Sequence, residues 1–175
     1  IVWERITESE AIDAGRDPSL LSYGELWPDK IIEVQPVYPS GGNIVWEWRI
    51  WDHLVQDYDA SKANYGVVAY HPELIDLNYV IQNGGADWTH ANSIDYNPDL
   101  DQIVISLRHF SEIWVIDHST TTAEAASSSG GRWGKGGDIL YRWGNPETYR
   151  RADSACHRLM FQHDTQWIPD SLVGA

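Results

Sequence analysis

Two copies of one strand pattern constrain the fold of this chain more than any other feature. The segment GNIVWEW at residues 42–48 matches GDILYRW at residues 137–143 position by position. The preceding strands also match in kind, IIEVQ at residues 31–35 and IWVID at residues 113–117. A repeated strand pair indicates one supersecondary unit that occurs twice. We therefore expect a repeated sheet of four antiparallel strands.

The stretch from residue 87 to residue 118 supplies the clearest copy of that unit. Alternating apolar and polar residues predict strands over 90–96 and 102–108, with a third over 112–117. Asn97-Pro98-Asp99 predicts the turn between the first two, because proline fixes its own φ and keeps the preceding residue out of the helical region. These three strands form a predicted antiparallel meander.

Repeated four-stranded antiparallel sheets with aromatic residues at regular places are typical of a β-propeller. We expect an all-β, partial β-propeller domain over residues 1–175. Residues 1–51 would supply strands two to four of one blade, 52–89 an excursion loop, 90–143 a complete blade and 158–168 the first strand of the next. Because that amounts to about two blades of the four to eight that propellers use, we expect the chain to be a fragment.

Shorter predictions concern the segments between these strands. A strand is expected over residues 1–6, and a short helix within residues 8–21 with Ser9 as its cap. Residues 54–86 are expected to be mostly loop, with one helical turn after His71-Pro72. The Ser-, Thr-, Ala- and Gly-rich residues 119–136 predict a mobile polar surface loop.

Charge and composition exclude several classes of function. A formal net charge of −14 disfavours nucleic acid and anionic membrane surfaces as partners, because the chain could not neutralise rows of phosphates. No apolar run is long enough to insert into a membrane. A single cysteine leaves no internal disulfide. The chain has 10 Trp and 9 Tyr against 2 Phe, and rings with a polar group suit partly solvent-exposed positions or the walls of a polar cleft.

The candidate site is built on the hairpin. His90 and Asn92 are two apart on a predicted strand and therefore share a face, and Arg108 ends the neighbouring strand. An imidazole, an amide and a guanidinium together suit an oxyanion. The alternative is that each is a strand-end residue that hydrogen bonds to a turn. His109 should point to the opposite face from Arg108, and a register slip of one residue would exchange their roles.

Two further histidines are candidates. His163, in the predicted first strand of the next blade, has nearly the place that His90 has in its own, so both imidazoles could face a common channel with Arg108. His163 could equally be structural. His53, at the end of a predicted fourth strand, is a weaker candidate.

Other kinds of site are not indicated. The sequence has no His pair at i, i+4 with Glu, no CxxC and no Asp-rich calcium loop, so we expect no metal and no cofactor. Cys156 and His157 are neighbours, which on an extended strand point to opposite faces. The glycine-rich residues 130–137 lack the ending and the helix of a phosphate loop, and we interpret them as a connection within a blade.

The chain resembles the bacterial-type arylsulfotransferase family over nearly its whole length. The resemblance is carried by DWTHANSIDYNPDLDQIVISLRHFSEIWVIDHSTTTAEA, GKGGDILYRWGNPETY and FQHDTQWIP, with GELWPDKIIEV and GNIVWEWRIWDHL nearer the start. It implies a six-bladed propeller that transfers a sulfuryl group from a phenolic sulfate ester to a phenol, without the nucleotide donor PAPS. It also implies a periplasmic or extracellular location.

The same resemblance implies roles for the candidate residues. His163, in the Gln-His motif, would be the nucleophile that becomes sulfated. His90 and Asn92, from the His-x-Asn motif, and Arg108 would polarise the sulfuryl oxygens and the phenolic oxygen. His53 would be a further channel histidine.

Two other functions remain open from the sequence. One is a non-catalytic propeller that binds anionic or aromatic ligands, or a protein partner, through its Trp-rich surface. The other is a hydrolase that uses the same sulfated histidine with water as the acceptor. A structure that separates His163 from Arg108 would favour the binding protein.

Overall fold

The structure is a computed structural model that describes residues 1–81, 85–169 and 171–172, and strands dominate it. Its strands are β1 (Val2–Trp3), β2 (Ile6–Thr7), β3 (Glu25–Leu26), β4 (Asp29–Pro36), β5 (Gly42–Arg49), β6 (Leu54–Val55), β7 (Ile75–Asp76), β8 (Ala91–Asn97), β9 (Gln102–Leu107), β10 (Glu112–Asp117) and β11 (Tyr141–Trp143). Its α-helices are α1 (Glu8–Asp13) and α2 (Thr122–Ala125), and short 3₁₀ turns lie at Pro18–Leu20, Ile50–Asp52, Val68–Tyr70, Pro146–Tyr149 and Ser154–Cys156. The all-β prediction is confirmed. The described residues form partial sheets and do not close into a ring. In the described part of the chain, no helix has the length and apolar character needed to cross a membrane.

The largest sheet has four strands in the order β11-β10-β9-β8, antiparallel throughout. The β8–β9 turn closes because the Asn97 side-chain oxygen accepts hydrogen bonds from the backbone N–H groups of Asp99 and Leu100, each at 3.0 Å. Every residue of β9 is buried. The sheet is therefore buried along β9, one of its two central strands.

A second sheet has the order β1-β4-β5 and contributes residues to the same apolar core as the first. Trp48 of β5 is fully buried, and its indole N–H donates to the Gly137 carbonyl oxygen at 2.7 Å. Ile105 and Trp114 of the larger sheet belong to the same apolar core. The aromatic residues of the first repeat copy, Trp46 and Trp48, are buried, whereas Tyr141 and Trp143 of the second copy are 55 % and 44 % exposed.

Several predicted elements begin, end or are capped at other residues than the sequence indicated. The expected strand over residues 1–6 is two short strands, because Val2 pairs with Lys30 while Ile6 pairs with Leu26 in a separate sheet. Helix α1 is capped by Thr7 rather than Ser9, through reciprocal hydrogen bonds with Glu10. The helical turn in the excursion precedes His71 instead of following it.

The second copy of the repeat is only partly a strand. The segment before β11 leaves the sheet because the backbone N–H of Ile139 donates to the Glu73 carbonyl at 3.0 Å and the Asp138 carboxylate contacts His53. The polar loop after β10 also has structure of its own. It contains α2, which is capped by Thr121 through reciprocal bonds with Glu124.

The expected strand over residues 158–168 is not assigned as one. The chain nevertheless runs beside the β8 edge: the backbone N–H groups of Thr165 and Trp167 donate to the side chains of Ser93 and Asp95, each at 2.8 Å. Because side-chain oxygens rather than carbonyls accept these bonds, no strand ladder forms. The spacing of two still indicates an extended chain in register with β8.

An apolar groove of about 630 Å³ lies on the face of the four-stranded sheet opposite the core. Val104, Ile113 and Val115 form its floor, and the segment beside β8 contributes Trp167 and Ile168 to its wall. Residues that alternate with the core positions therefore form a second apolar face, which the segment beside β8 partly covers.

Candidate functional site

His90 lies just before β8 in a left-handed backbone conformation with φ of 53°. The pairing of β8 with β9 also shifts register between Ala91 and Ser93. The prediction that strand alternation alone puts His90 and Asn92 on one face is therefore wrong, because His90 is outside the strand and Asn92 is at the irregularity. What positions these two side chains is their individual hydrogen bonds.

Asp87 orients the ring of His90. The Nδ1 atom of His90 lies 2.5 Å from the Asp87 Oδ2 atom. A carboxylate only accepts hydrogen bonds, so Nδ1 carries the proton, and the neutral ring then has its lone pair on Nε2. The side chains of His90 and Asp87 are 38 % and 23 % exposed, so this pair faces solvent on one side.

His109 lies beside the same pair. Its Nδ1 donates to the backbone carbonyl of Asp87 at 2.9 Å, and its ring centroid is 4.9 Å from that of His90. Burial lowers the pKa of His109, and the neighbouring charge of Asp87 acts in the opposite direction. Sequence reasoning considered His109 only as the alternative to Arg108. Its place near Asp87 depends on how the hairpin folds back, which local spacing does not show.

Asp29, at the start of β4, ties the second sheet to this corner. Its Oδ2 accepts hydrogen bonds from the Thr89 hydroxyl at 2.6 Å and from the Ala91 backbone N–H at 2.7 Å. Asp29 therefore holds the residues on both sides of His90 in place. Burial raises the pKa of Asp29, although those two hydrogen bonds act in the opposite direction. No sequence motif marked Asp29.

The segment that carries His163 is held against the end of the sheet. The amide nitrogen of Gln162 donates to the Ser106 hydroxyl at 3.0 Å and to the Glu112 carbonyl at 2.8 Å. The side-chain amide of Asn92 donates to the Gln162 carbonyl at 2.8 Å. The guanidinium carbon of Arg108 lies 4.9 Å from the centroid of the Phe161 ring.

His163 itself is exposed, and its Nδ1 lies 3.0 Å from the Phe161 carbonyl oxygen. That oxygen is an acceptor, so Nδ1 donates and the lone pair of the neutral ring is on Nε2, toward solvent. The Nε2 atom of such an imidazole has a free lone pair and can act as a nucleophile. Asn92 and Arg108 thus hold the residues immediately before His163, and the Arg108 backbone N–H donates to the His90 carbonyl at 3.1 Å.

The structure places His53 in a different environment. It is 1 % exposed, with Nδ1 at 2.8 Å from the Asp138 carboxylate and Nε2 at 2.8 Å from the Ala125 carbonyl. Its ring also stacks on Trp48 at a centroid distance of 5.7 Å. Both ring nitrogens and one ring face have partners, so His53 links β5 to α2 and to the segment before β11. The channel role of His53 stays a prediction.

Comparison with known proteins matches the chain to a protein family. A family model described as Arylsulfotransferase (ASST) matches residues 22–171, which include all the candidate residues above. No curated protein and no solved structure matches the chain.

Proposed function

Since the chain belongs to the arylsulfotransferase family, we propose that it transfers a sulfuryl group from a phenolic sulfate ester to a phenolic acceptor through a sulfated His163. The observation that carries this proposal is that Asn92 and Arg108 hold the segment that presents His163. We also propose that the four-stranded sheet is one blade of a propeller, and that the protein works in the periplasm or outside the cell.

The first half of the reaction uses the open nitrogen of His163. Nε2 attacks sulfur, a nitrogen–sulfur bond forms, and the bond from sulfur to the phenolic oxygen of the donor breaks. Arg108 has a fork of N–H donors that suits the negative oxygens of the sulfuryl group. Asn92 donates one amide hydrogen to Gln162, which leaves its second for a substrate oxygen.

The second half uses His90. A phenolic oxygen attacks sulfur, the nitrogen–sulfur bond breaks, and the phenol proton must leave. With its Nδ1 proton held by Asp87, His90 has Nε2 available to accept that proton. The proton taken up in this half stays on Nε2 until the next cycle, where it can pass to the departing phenolate of the next donor. Asp87 is thereby a positioning residue, since it fixes the ring and its tautomer.

The test is an assay of the purified protein with 4-nitrophenyl sulfate as the donor and phenol as the acceptor. We expect nitrophenol release that depends on phenol, with parallel double-reciprocal plots because a covalent intermediate separates the two half reactions. Equal release without phenol would identify water as the acceptor. Saturable binding of the ester without release would identify a binding protein. Either result would overturn the proposal.

A second prediction concerns Gln162, which anchors the segment that carries His163. Replacing Gln162 with Ala removes its bonds to Ser106 and Glu112. We expect kcat to fall by about 10²-fold, because a nucleophile displaced by about 1 Å reacts that much more slowly. The matched control is Gln166→Ala, since the hydrogen bond of the Gln166 amide among the described residues goes to the nearby Asp164 at 2.9 Å and not to the sheet. Equal kcat for both variants would show that Gln162 does not position His163.

A further inference from the structure

Arg16, shortly after α1, is a buried cation whose hydrogen bonds go to carbonyl oxygens. It is 4 % exposed, and within the described part of the chain its guanidinium bonds to two backbone carbonyls and to no carboxylate. Arg49, Arg142 and Arg150, by contrast, each pair with a carboxylate. A buried charge without a counter-charge is costly, so a native protein is expected to supply one.

The carbonyl oxygens use only part of the Arg16 guanidinium. Nη1 donates to the Leu77 carbonyl, and Nη2 lies 3.5 Å from the Leu20 carbonyl, which is longer than an ordinary hydrogen bond. Nε is buried and has no partner among the residues that the structure describes. The N–H groups of Nε and Nη2 lie side by side along one edge of the planar group. This edge can therefore donate two parallel hydrogen bonds to one ligand.

A pocket of about 260 Å³, which we call the Arg16 pocket, lies against this guanidinium. Its wall includes three residues with hydroxyl groups and three apolar residues, namely Ser19, Ser22 and Tyr23, and Leu20, Val80 and Ile81. Tyr23 and Val80 are 66 % and 63 % exposed, so the pocket opens to solvent between them. Ligand sites typically combine an apolar wall with a few polar groups that orient the ligand. The Arg16 pocket has this composition at a size that suits a small ligand.

The acids near the Arg16 pocket leave the charge of Arg16 available. Burial lowers the pKa of Arg16 to about 10, and the charge of Asp76 acts in the opposite direction, so the guanidinium is protonated at neutral pH. Asp76 itself pairs with Arg150 at 3.0 Å. Glu25, in the pocket wall, pairs with Arg5. The formal charge of −14 acts weakly from a distance, because salt screens charges beyond about 8 Å at physiological ionic strength.

We propose that the Arg16 pocket binds a small organic anion through a carboxylate group. The carboxylate lies along the edge formed by Nε and Nη2, and the apolar part of the ligand packs against Leu20, Val80 and Ile81. A planar carboxylate with two oxygens matches that edge, and such bidentate pairs are among the stronger hydrogen-bonded contacts. The ligand would give the buried cation its counter-charge. No residue of the Arg16 pocket takes part in the proposed sulfuryl transfer, so the two proposals can be tested separately.

The test uses sodium benzoate as the probe with the purified ¹⁵N-labelled protein. In heteronuclear NMR spectra, benzoate should shift one arginine Nε–H signal saturably, and the loss of that signal in Arg16→Lys identifies it. Benzamide has the same ring without the charge and should leave the signal in place. Isothermal titration should show that Arg16→Lys binds benzoate about 10- to 100-fold more weakly, because Lys cannot donate the two parallel bonds.

A second variant tests the Arg16 pocket without removing Arg16. Ser22→Glu places a carboxylate in the pocket wall at an exposed position, so the fold should persist while benzoate binds about 10-fold more weakly, through competition and like-charge repulsion. This variant decides the question if Arg16→Lys does not fold. The matched control is Arg132→Lys, which changes an exposed arginine that bonds to the Asp99 carbonyl and should bind benzoate as the wild type does.

Three results would overturn the proposal. They are no shift of any arginine Nε–H signal with benzoate, an equal shift with benzamide, and unchanged benzoate affinity in the folded pocket variants. Sodium sulfate at matched ionic strength is a further comparison, and tighter binding of sulfate than of benzoate would show that the apolar wall plays no part. Circular dichroism reports which variants fold. None of these measurements uses a sulfate ester, so they are independent of the transfer assay.

Discussion

Replacing Arg142 with Ala is expected to destabilise the protein by about 3–5 kcal/mol, because it leaves the buried carboxylate of Glu112 without its cation. The two side chains are 5 % and 0 % exposed. The Arg142 guanidinium bonds both Glu112 oxygens, at 3.1 Å and 2.5 Å. It also donates to the Leu74 carbonyl at 2.9 Å and the Thr148 hydroxyl at 2.9 Å. One side chain thus joins β10, β11, the excursion and the turn after β11.

The measurement is the free energy of unfolding from urea denaturation, with an exposed ion pair as the control. Arg5 pairs with Glu25, and its side chain is 75 % exposed, so Arg5→Ala should cost at most about 1 kcal/mol. The double variant Arg142→Met with Glu112→Leu should recover much of the loss, since apolar residues of similar volume often replace a buried ion pair at little cost. Similar losses for Arg142→Ala and Arg5→Ala would contradict the prediction.

Replacing His163 with Ala is expected to lower kcat for sulfuryl transfer by about 10⁴-fold or more, the order found when a covalent nucleophile is removed. Within the part of the chain that the structure describes, the ring hydrogen bonds to the Phe161 carbonyl and is exposed, so its removal should leave the fold intact. The loss should therefore appear in the first half reaction. Rapid mixing with 4-nitrophenyl sulfate should show no initial burst of nitrophenol.

His157→Ala serves as the control for His163→Ala. His157 lies upstream on the same segment, contacts Glu147, and has no place in the proposed mechanism. Its kcat and its initial burst should match those of the wild type. Phenol-dependent turnover that survives His163→Ala would require another nucleophile, and the mechanism would then be wrong even if the activity itself is confirmed.

Local chemistry was enough to predict the strands of the hairpin. The alternation along β9 and the Asn97-Pro98 turn depend on neighbours in sequence, so the pattern and the structure agree. The residues at which strands begin and end depend instead on contacts with residues far away in the sequence. β11 is shorter than its repeat copy because Asp138 contacts His53, 85 residues away. The alternation of apolar and polar residues along the strand does not reveal that contact.

In the candidate site, too, some residues could be predicted from local sequence and others could not. Asn92, Arg108 and His163 were predicted from motifs in the sequence, and the structure shows contacts that link their segments. Asp29 was missed because its role comes from the packing of β4 against the start of β8. The burial of His53 could not be predicted for a related reason: a histidine at a strand end looks the same in sequence whether it faces solvent or a packed interior.

The turn at Ser154–Cys156 has a practical consequence. Cys156 is the one cysteine of the chain and is exposed. A maleimide fluorophore would therefore attach at a single place, a short way upstream of His163, without prior removal of other thiols. Its emission anisotropy would report in real time whether this segment stays docked on the sheet or swings free during turnover.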